Sequence, residues 1–275
     1  MQVVECEECG LMYLSPRPTR SEIESWYGRD YFSAATPAGR GYSDYWAESQ
    51  IDDLLLTAKN KLELVRNHVN LQGATALEIG CATGETCNAA SKGGARVTGC
   101  DLSSDAIHIA RHRYPHIEFC AAPADQLPFS DESFDAVLAF ELIEHLSSPS
   151  AFVREVHRVL RPGGVLALTT PNVEYGRRVG WHQWTGFLTS FEHLYFFNLE
   201  SLRRILSRRG MSVVGVYSQG EGRIADTKAR LKSVLRRLRL FGPMKAVYRA
   251  VFGARIEVWG CSASSHTLMV VGRKT

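Results

Sequence analysis

The chain has 275 residues and a net charge of +3, with 45% hydrophobic and 22% charged residues. This excludes a disordered chain and allows one large domain with additions, or two small ones. No apolar run reaches the roughly 18 residues that cross a bilayer, and the opening MQVVECEECG lacks the basic and apolar regions of a secretory leader.

The seven cysteines are scattered. They read as reduced thiols in a cytoplasmic protein, with Cys81, Cys87, Cys100 and Cys120 as small core residues. Cys6 and Cys9 form a C-x-x-C followed by Gly10, one knuckle of a zinc ribbon. A structural zinc ion needs four ligands, and no second C-x-x-C and no nearby H-x-x-x-H follow, so the pair is at most half a site.

Residues 19 to 50 are rich in glycine and aromatics. Thr19 and Glu22 stand at capping-box spacing before a short helix ending near Trp26, and the stretch after it reads as an aromatic loop or lid. From Ile51 to Val69 the residues Leu54, Leu55, Ala58, Leu62, Val65 and Val69 share one helical face. Five short strand-like runs follow, at 74–80, 95–101, 117–122, 134–140 and 164–170, with helical stretches between most of them. That alternation predicts an α/β fold with a doubly wound parallel sheet. LESLRRILSRRG is a further helix stopped by Gly210, and MSVVGVYS and HTLMVVGR supply two more strands.

Between those last two strands, residues 219–255 hold ten basic residues against two acidic ones, a net charge of +8. Leu231, Val234, Leu235 and Leu238 oppose Lys228, Lys232, Arg236 and Arg239 on a basic amphipathic helix. It packs on the core, or residues 223–255 contact a membrane surface or an acidic substrate. The chain thus divides into an N-terminal C-x-x-C segment and aromatic lid (1–50), a core (51–218), a basic helical insertion (219–262) and a final core strand (263–275).

In a doubly wound sheet, ligands sit beyond the carboxyl ends of the strands. Gly80 and Gly84 follow the first core strand, where missing side chains let the backbone approach a ligand, and a helix N-terminus comes next. Asp101 ends the second strand about 20 residues on, where a carboxylate accepts ribose hydroxyls. The loop is not G-x-G-x-x-G, and Glu85 would repel a pyrophosphate. A nucleoside with an amino-acid tail suits it better, because Glu78 lies near a site for the ammonium.

These residues resemble a class I S-adenosyl-L-methionine (SAM)-dependent methyltransferase with an E/D-x-G-x-G-x-G loop. Glu78, Gly80 and Gly84 match, while Ala82 replaces the middle glycine. The likeness continues through CDLS, ADQLPFSDESFDAV, ELIEHL and LRPGGVLALTTPN to Asn172, and on into EHLYFFNLESLRRIL. CEECGLMYLSPRP resembles the opening of bacterial methyltransferases that act on sugars and small metabolites. The resemblance implies a Rossmann-like seven-stranded sheet, mostly parallel, with helices on both faces and the last strand antiparallel, and SAM as cofactor. It implies that Asp101 binds the ribose and Leu102 the adenine face. Asp125 would accept from the adenine amino group beside Ala124 and Gln126, and Phe140 and Glu141 would line the methionine end.

Methyl transfer from a sulfonium needs alignment above all, and a base where the acceptor is a hydroxyl. His145, at helical i+4 from Glu141, and His193 are the candidate bases. E-x-x-E-H also resembles the divalent-metal motif of some O-methyltransferases, which would make Glu141, Glu144, His145 and His193 a mixed ligand set. Glu144 facing solvent is the plainer alternative. The expected activity is methylation of a small-molecule acceptor, on oxygen of a sugar, glycolipid or secondary metabolite. The alternatives are an RNA methyltransferase using the basic insertion and a non-catalytic SAM-binding scaffold.

Overall fold

The computed structural model describes residues 2–26, 48–184, 192–220, 258–260 and 266–275. The lid sequence at 27–47 and the basic stretch at 221–257, on which the membrane, acidic-substrate and RNA expectations rest, lie outside them.

The apolar runs become the strands β3 (Thr75–Ile79), β4 (Arg96–Asp101), β5 (Glu118–Ala121), β6 (Phe134–Phe140) and β7 (Leu160–Pro171). The central ones, β3, β6 and β7, are buried on both faces, as parallel strands between helices must be. Residue-by-residue alternation sends Leu77, Ile79, Val137, Ala139, Leu166 and Leu168 to one face. Ala76, Ala136, Leu138, Val165 and Ala167 go to the other.

The first face packs on α5 (Pro149–Val159) and α7 (Leu199–Ser207) through Phe152, Val156, Leu202 and Leu206. The second packs on α2 (Glu48–Arg66), α3 (Glu85–Lys92) and α4 (Ser104–Arg113) through Leu62, Val65, Cys87, Ala90, Ile107 and Ala110. Cys81, Cys87 and Cys100 are buried as expected, but Cys120 is only half-buried at the β5 edge. Asn198 and Ser201 form a reciprocal cap at the start of α7.

β9 (Met211–Gly220), β10 (Val258–Gly260) and β11 (Thr267–Lys274) complete a sheet of order β10-β9-β11-β7-β6-β3-β4-β5. β11 runs antiparallel between β7 and β9, while β3 to β7 are mutually parallel. The seven expected strands are present, and the three-residue β10 is an eighth. The strand order turns around between β3 and β6, so their carboxyl ends flank a crevice.

A second small sheet was not legible in the sequence. β1 (Gln2–Glu5) and β2 (Met12–Ser15) form a hairpin, and β2 pairs with the two-residue β8 (Tyr195–Phe196). α1 (Arg20–Trp26) follows, and its capping box forms. The Glu22 amide donates to Thr19 Oγ1 at 3.3 Å, and the Thr19 amide donates to Glu22 Oε2 at 2.7 Å. α6 (Val173–Val179) follows β7. No helix among the described residues is long and apolar enough to cross a membrane.

Candidate active site

The loop after β3 is tied to β4 by its backbone. The amides of Gly80 and Cys81 both donate to the carbonyl of Cys100, at 2.8 and 3.1 Å. The Ala82 amide donates to Asp101 Oδ2 at 2.8 Å, and the Ser103 amide donates to Oδ1 at 2.9 Å. Asp101 therefore fixes the bend from the end of β4. Burial raises its pKa, and the amides of Ser103, Ala82 and Leu102 oppose that rise. Leu102 beside it keeps 40% of its surface exposed.

Gly80, Ala82 and Gly84 all have positive φ, at 75°, 45° and 91°. A Cβ on Gly84 would lie 2.8 Å from Phe119 Cζ, so that glycine is required by space as well as by torsion. Ala82 has no such excuse: an alanine in the left-handed region costs about 1–2 kcal/mol. Ala82→Gly relieves that strain but adds about 0.4–1 kcal/mol of unfolded-chain entropy. The expected net result is a stabilisation of about 0.5–1 kcal/mol, read as a higher urea midpoint at unchanged slope.

Glu85 corrects one expectation. Its carboxylate accepts from Thr83 Oγ1 at 2.6 Å and from Arg113 Nη1 at 2.7 Å. Its charge is spent inside the protein, so repulsion of a pyrophosphate is weak, and the glycine spacing alone separates this loop from a dinucleotide fingerprint.

Glu78 is buried at the end of β3 and accepts a hydrogen bond from Cys87 Sγ at 2.9 Å. Burial pushes its pKa to about 8, against the pull of Cys87 and Thr86. At the end of β6, Phe140 is half-buried and Glu141 is exposed with φ 51°. The Glu141 amide is held by both the carbonyl and the hydroxyl of Thr169, each at 3.0 Å. Strained non-glycine backbone therefore stands at the ends of both strands that flank the crevice. A Cβ on Gly80 would touch Leu142 at 3.1 Å, so the two strand ends also meet.

The E-x-x-E-H stretch does not continue as an α-helix. After Glu141 the chain makes a single tight turn, Ile143–His145, so Glu141 and His145 do not stack at i, i+4 as expected. Glu144 does not face solvent: its side chain is 1% exposed. Its Oε1 lies 4.0 Å from Nε2 of both His145 and His193. The two imidazoles meet edge to face with centroids 4.7 Å apart. The Leu194 amide donates to the Glu144 carbonyl at 2.8 Å and stitches the His193 strand to this turn.

Burial, then the charge of Glu141, pushes the Glu144 pKa well up. Burial, then neighbouring His193, pushes His145 down to about 3. Glu144, His145 and His193 bring their ligand atoms within 4.8 Å of one another, the one such group with metal-binding potential among the described residues. Glu141, expected in that set, is not part of it. Neither Glu144 oxygen has a hydrogen-bond partner.

Asp125 stands apart on the β5 side. Arg20 from α1 reaches it with two nitrogens, Nη1 to Oδ2 at 3.2 Å and Nη2 to Oδ1 at 3.4 Å. Ala124 is half-buried against the core and Gln126 is exposed. Cys6 and Cys9 occupy the tip of the β1–β2 hairpin, and the backbone amides of Cys9 and Glu8 lower the Cys6 pKa. No further ligand joins the two thiols among the described residues.

Sequence reasoning missed Arg20 and Lys61, both of which look like solvent-facing helix charges. Lys61 Nζ in fact lies over the Phe140 ring, 4.9 Å from its centroid. The available signal was its place on α2, three residues after the buried Ala58 and one before Leu62.

Comparison with known proteins bears on this crevice. A methyltransferase domain family matches residues 46–216. The chain is 30% identical over 166 residues to O-methyltransferase rstn1 of Aspergillus nomiae, covering 56% of this chain and 73% of that one. It is 38% identical over 98 residues to a demethylmenaquinone methyltransferase of Chlorobaculum parvum, covering 35% of this chain but 41% of the relative. Against that relative it spans about two fifths of the length. The crystal structure of a SAM-dependent methyltransferase from Thermotoga maritima has a TM-score of 0.59 at 20% identity. That match covers 85% of this chain and 96% of the other, a likeness of fold. The match to the family spans the glycine loop, the strained end of β6 and the histidine pair, and the chain belongs to the methyltransferase domain family, with the Rossmann-like fold of class I and SAM as its cofactor.

Proposed function

We propose that the chain methylates an oxygen of a small hydroxylated molecule, such as a sugar, a glycolipid or a secondary metabolite. The observation that carries this reading is the buried His193 with the largely covered His145 against its ring, next to the strained crevice between β3 and β6. The relative named an O-methyltransferase agrees with it.

The residues present fit the cofactor. The side-chain-free bend at Gly80 leaves backbone open to approach, Asp101 offers carboxylate oxygens for a ribose diol, and the exposed Leu102 offers an apolar face for adenine. Asp125, flanked by Ala124 and Gln126, would accept from the adenine amino group in competition with Arg20. The Phe140 ring would face the sulfonium. When bound, SAM supplies an already activated methyl group, so the chain has to align, exclude water and move a proton.

His193 is the better base. An imidazole with a pKa near 3, as burial makes His145, is too weak a base to take a hydroxyl proton at neutral pH. His193 would take the acceptor's hydroxyl proton, with His145 packed against its ring and Glu144 4.0 Å away.

A metal-assisted reading has one specific observation behind it. A buried carboxylate without a partner and two imidazoles within 4.8 Å make a mixed nitrogen and oxygen set. A divalent ion held there would polarise an acceptor hydroxyl. The two readings separate by chelation. Turnover that survives exhaustive EDTA supports the base, and turnover lost and restored by Mg²⁺, Mn²⁺ or Zn²⁺ supports the ion.

The activity itself is tested with SAM and a panel of hydroxylated acceptors, reading S-adenosylhomocysteine release and a one-methyl mass gain. Release only with RNA would support the basic insertion instead. SAM binding without turnover on any acceptor would support a scaffold.

Glu78 gives a proton signature. With a pKa near 8 it is protonated at pH 7, and an ammonium docked against it would drive ionisation. Cofactor binding at pH 7 is expected to release up to one proton. Calorimetry in phosphate and in Tris then gives different apparent enthalpies, and Glu78→Gln removes the difference. Without ligand, the raised pKa means the folded state retains a proton that the unfolded chain loses between about pH 4.5 and 8. Stability therefore falls as pH rises through that window, and Glu78→Gln flattens the fall.

A further inference from the structure

Two cysteines stand side by side at the carboxyl ends of β4 and β5. Cys100 and Cys120 are register partners in that parallel pair, and both pack on the first face of the sheet. Neighbouring strands lie about 4.8 Å apart. That is inside the roughly 4.4–6.8 Å range of Cα separations that a disulfide bridges. Cys100 is fully buried. Cys120 is half-buried on β5, the strand at that edge of the sheet, where a small oxidant reaches it.

The surroundings give the two thiols different roles. Arg111 donates from Nε and Nη2 to the carbonyl of Phe119, at 3.2 and 2.6 Å, which brings its charge next to Cys120. A hydrogen bond with Cys100, and then the charge of Arg111, pull the Cys120 pKa down to about 7 against the rise from burial. Cys100 is pushed the other way, by Cys120 and then by burial. Cys81 and Cys87 also touch, but both are buried and burial raises both.

This pair sits under the glycine loop. The Cys100 carbonyl accepts from the amides of Gly80 and Cys81, Asp101 is the next residue, and the Ala122 amide donates to the Asp101 carbonyl at 3.0 Å. A disulfide holds its Cβ atoms about 3.5–4.5 Å apart, closer than the strands themselves stand. Closing one here therefore pulls on the strand ends that anchor the bend.

We propose that Cys120 and Cys100 form a peroxide-modified pair whose disulfide weakens cofactor binding. The Cys120 thiolate attacks one oxygen of hydrogen peroxide, the O–O bond breaks, and a sulfenic acid and hydroxide form. The hydroxide takes up the proton that Cys120 gave away. The Cys100 sulfur then attacks the Cys120 sulfur. An S–S bond forms, the S–O bond breaks, and the hydroxyl leaves with the Cys100 proton as water. Two thiols and one peroxide thus give one disulfide and two waters, with two electrons passing from sulfur to oxygen. The modification stands on the thiol pair alone, and its effect rests on the cofactor reading above.

The test treats the reduced protein with hydrogen peroxide, blocks the remaining thiols with N-ethylmaleimide and maps tryptic peptides by mass spectrometry. Peptides 97–111 and 114–154 each carry one of the two cysteines and should appear crosslinked. Calorimetry should show S-adenosylhomocysteine binding weakened by at least about fivefold, the low end of coupling between sites, and restored by dithiothreitol. Cys120→Ser should bind like the reduced protein, within about twofold, both before and after peroxide. Cys100→Ser should stop at a Cys120 sulfenic acid that dimedone traps. No crosslink, or one between other cysteines, overturns the pair, and a Cys100–Cys120 crosslink with unchanged affinity overturns its effect. A reduced wild-type protein that binds no S-adenosylhomocysteine overturns the cofactor reading and with it the proposed weakening.

Discussion

Asp101→Ala is expected to lose both the cofactor and the loop. Asp101 accepts from the amides of Ala82 and Ser103, so the substitution leaves two donors at a tight bend without their acceptor. Losing charged hydrogen bonds of this kind costs about 1–3 kcal/mol of folding stability. The ribose would lose its partner too, and affinity for S-adenosylhomocysteine should drop by about 10- to 100-fold. Asp101→Asn separates the two effects. An amide oxygen can still accept from one of the amides but carries no charge, so stability should be partly kept while affinity stays low. Urea unfolding and calorimetry on both variants check this. A Asp101→Asn protein with wild-type affinity would remove the ribose assignment.

His193→Ala should leave cofactor affinity within about twofold and cut kcat by about 10²- to 10⁴-fold, the usual weight of a positioned general base. The wild-type rate should fall on the acidic side of its pH profile as the base protonates, a limb that the variant lacks. His145→Ala should cost less in kcat, because burial keeps that imidazole neutral and it would act by packing. His193 is itself buried, so melting curves must accompany the rates. Full turnover by a folded His193→Ala protein would clear the residue, and loss of turnover matched by a loss of bound divalent ion would reassign it as a ligand.

What could be read in advance follows physical lines. The central strands were legible because each is apolar on both faces, which only a sheet covered by helices on both sides satisfies. The bend was legible because Gly80 and Gly84 punctuate it. Ala82 looked like a departure, and its φ of 45° shows that alanine accepts the strained turn that glycine would make freely. The E-x-x-E-H stretch misled because helical spacing was assumed, whereas the positive φ at Glu141 breaks the helix before it begins and turns Glu144 inward. The small sheet was hidden because Tyr13 pairs with Tyr195, a contact far too distant in sequence for any local pattern to announce. Arg20 and Lys61 were hidden because a long charged side chain on a helix carries no mark of where its tip ends.

The most direct measurement is a crystal structure grown with S-adenosylhomocysteine. Density is expected for the ribose hydroxyls on the Asp101 carboxylate, the adenine against Leu102, and the amino-acid tail beside Glu78. Density for the nucleoside elsewhere on the protein, or a crevice between β3 and β6 that stays unfilled at saturating ligand, would contradict that placement.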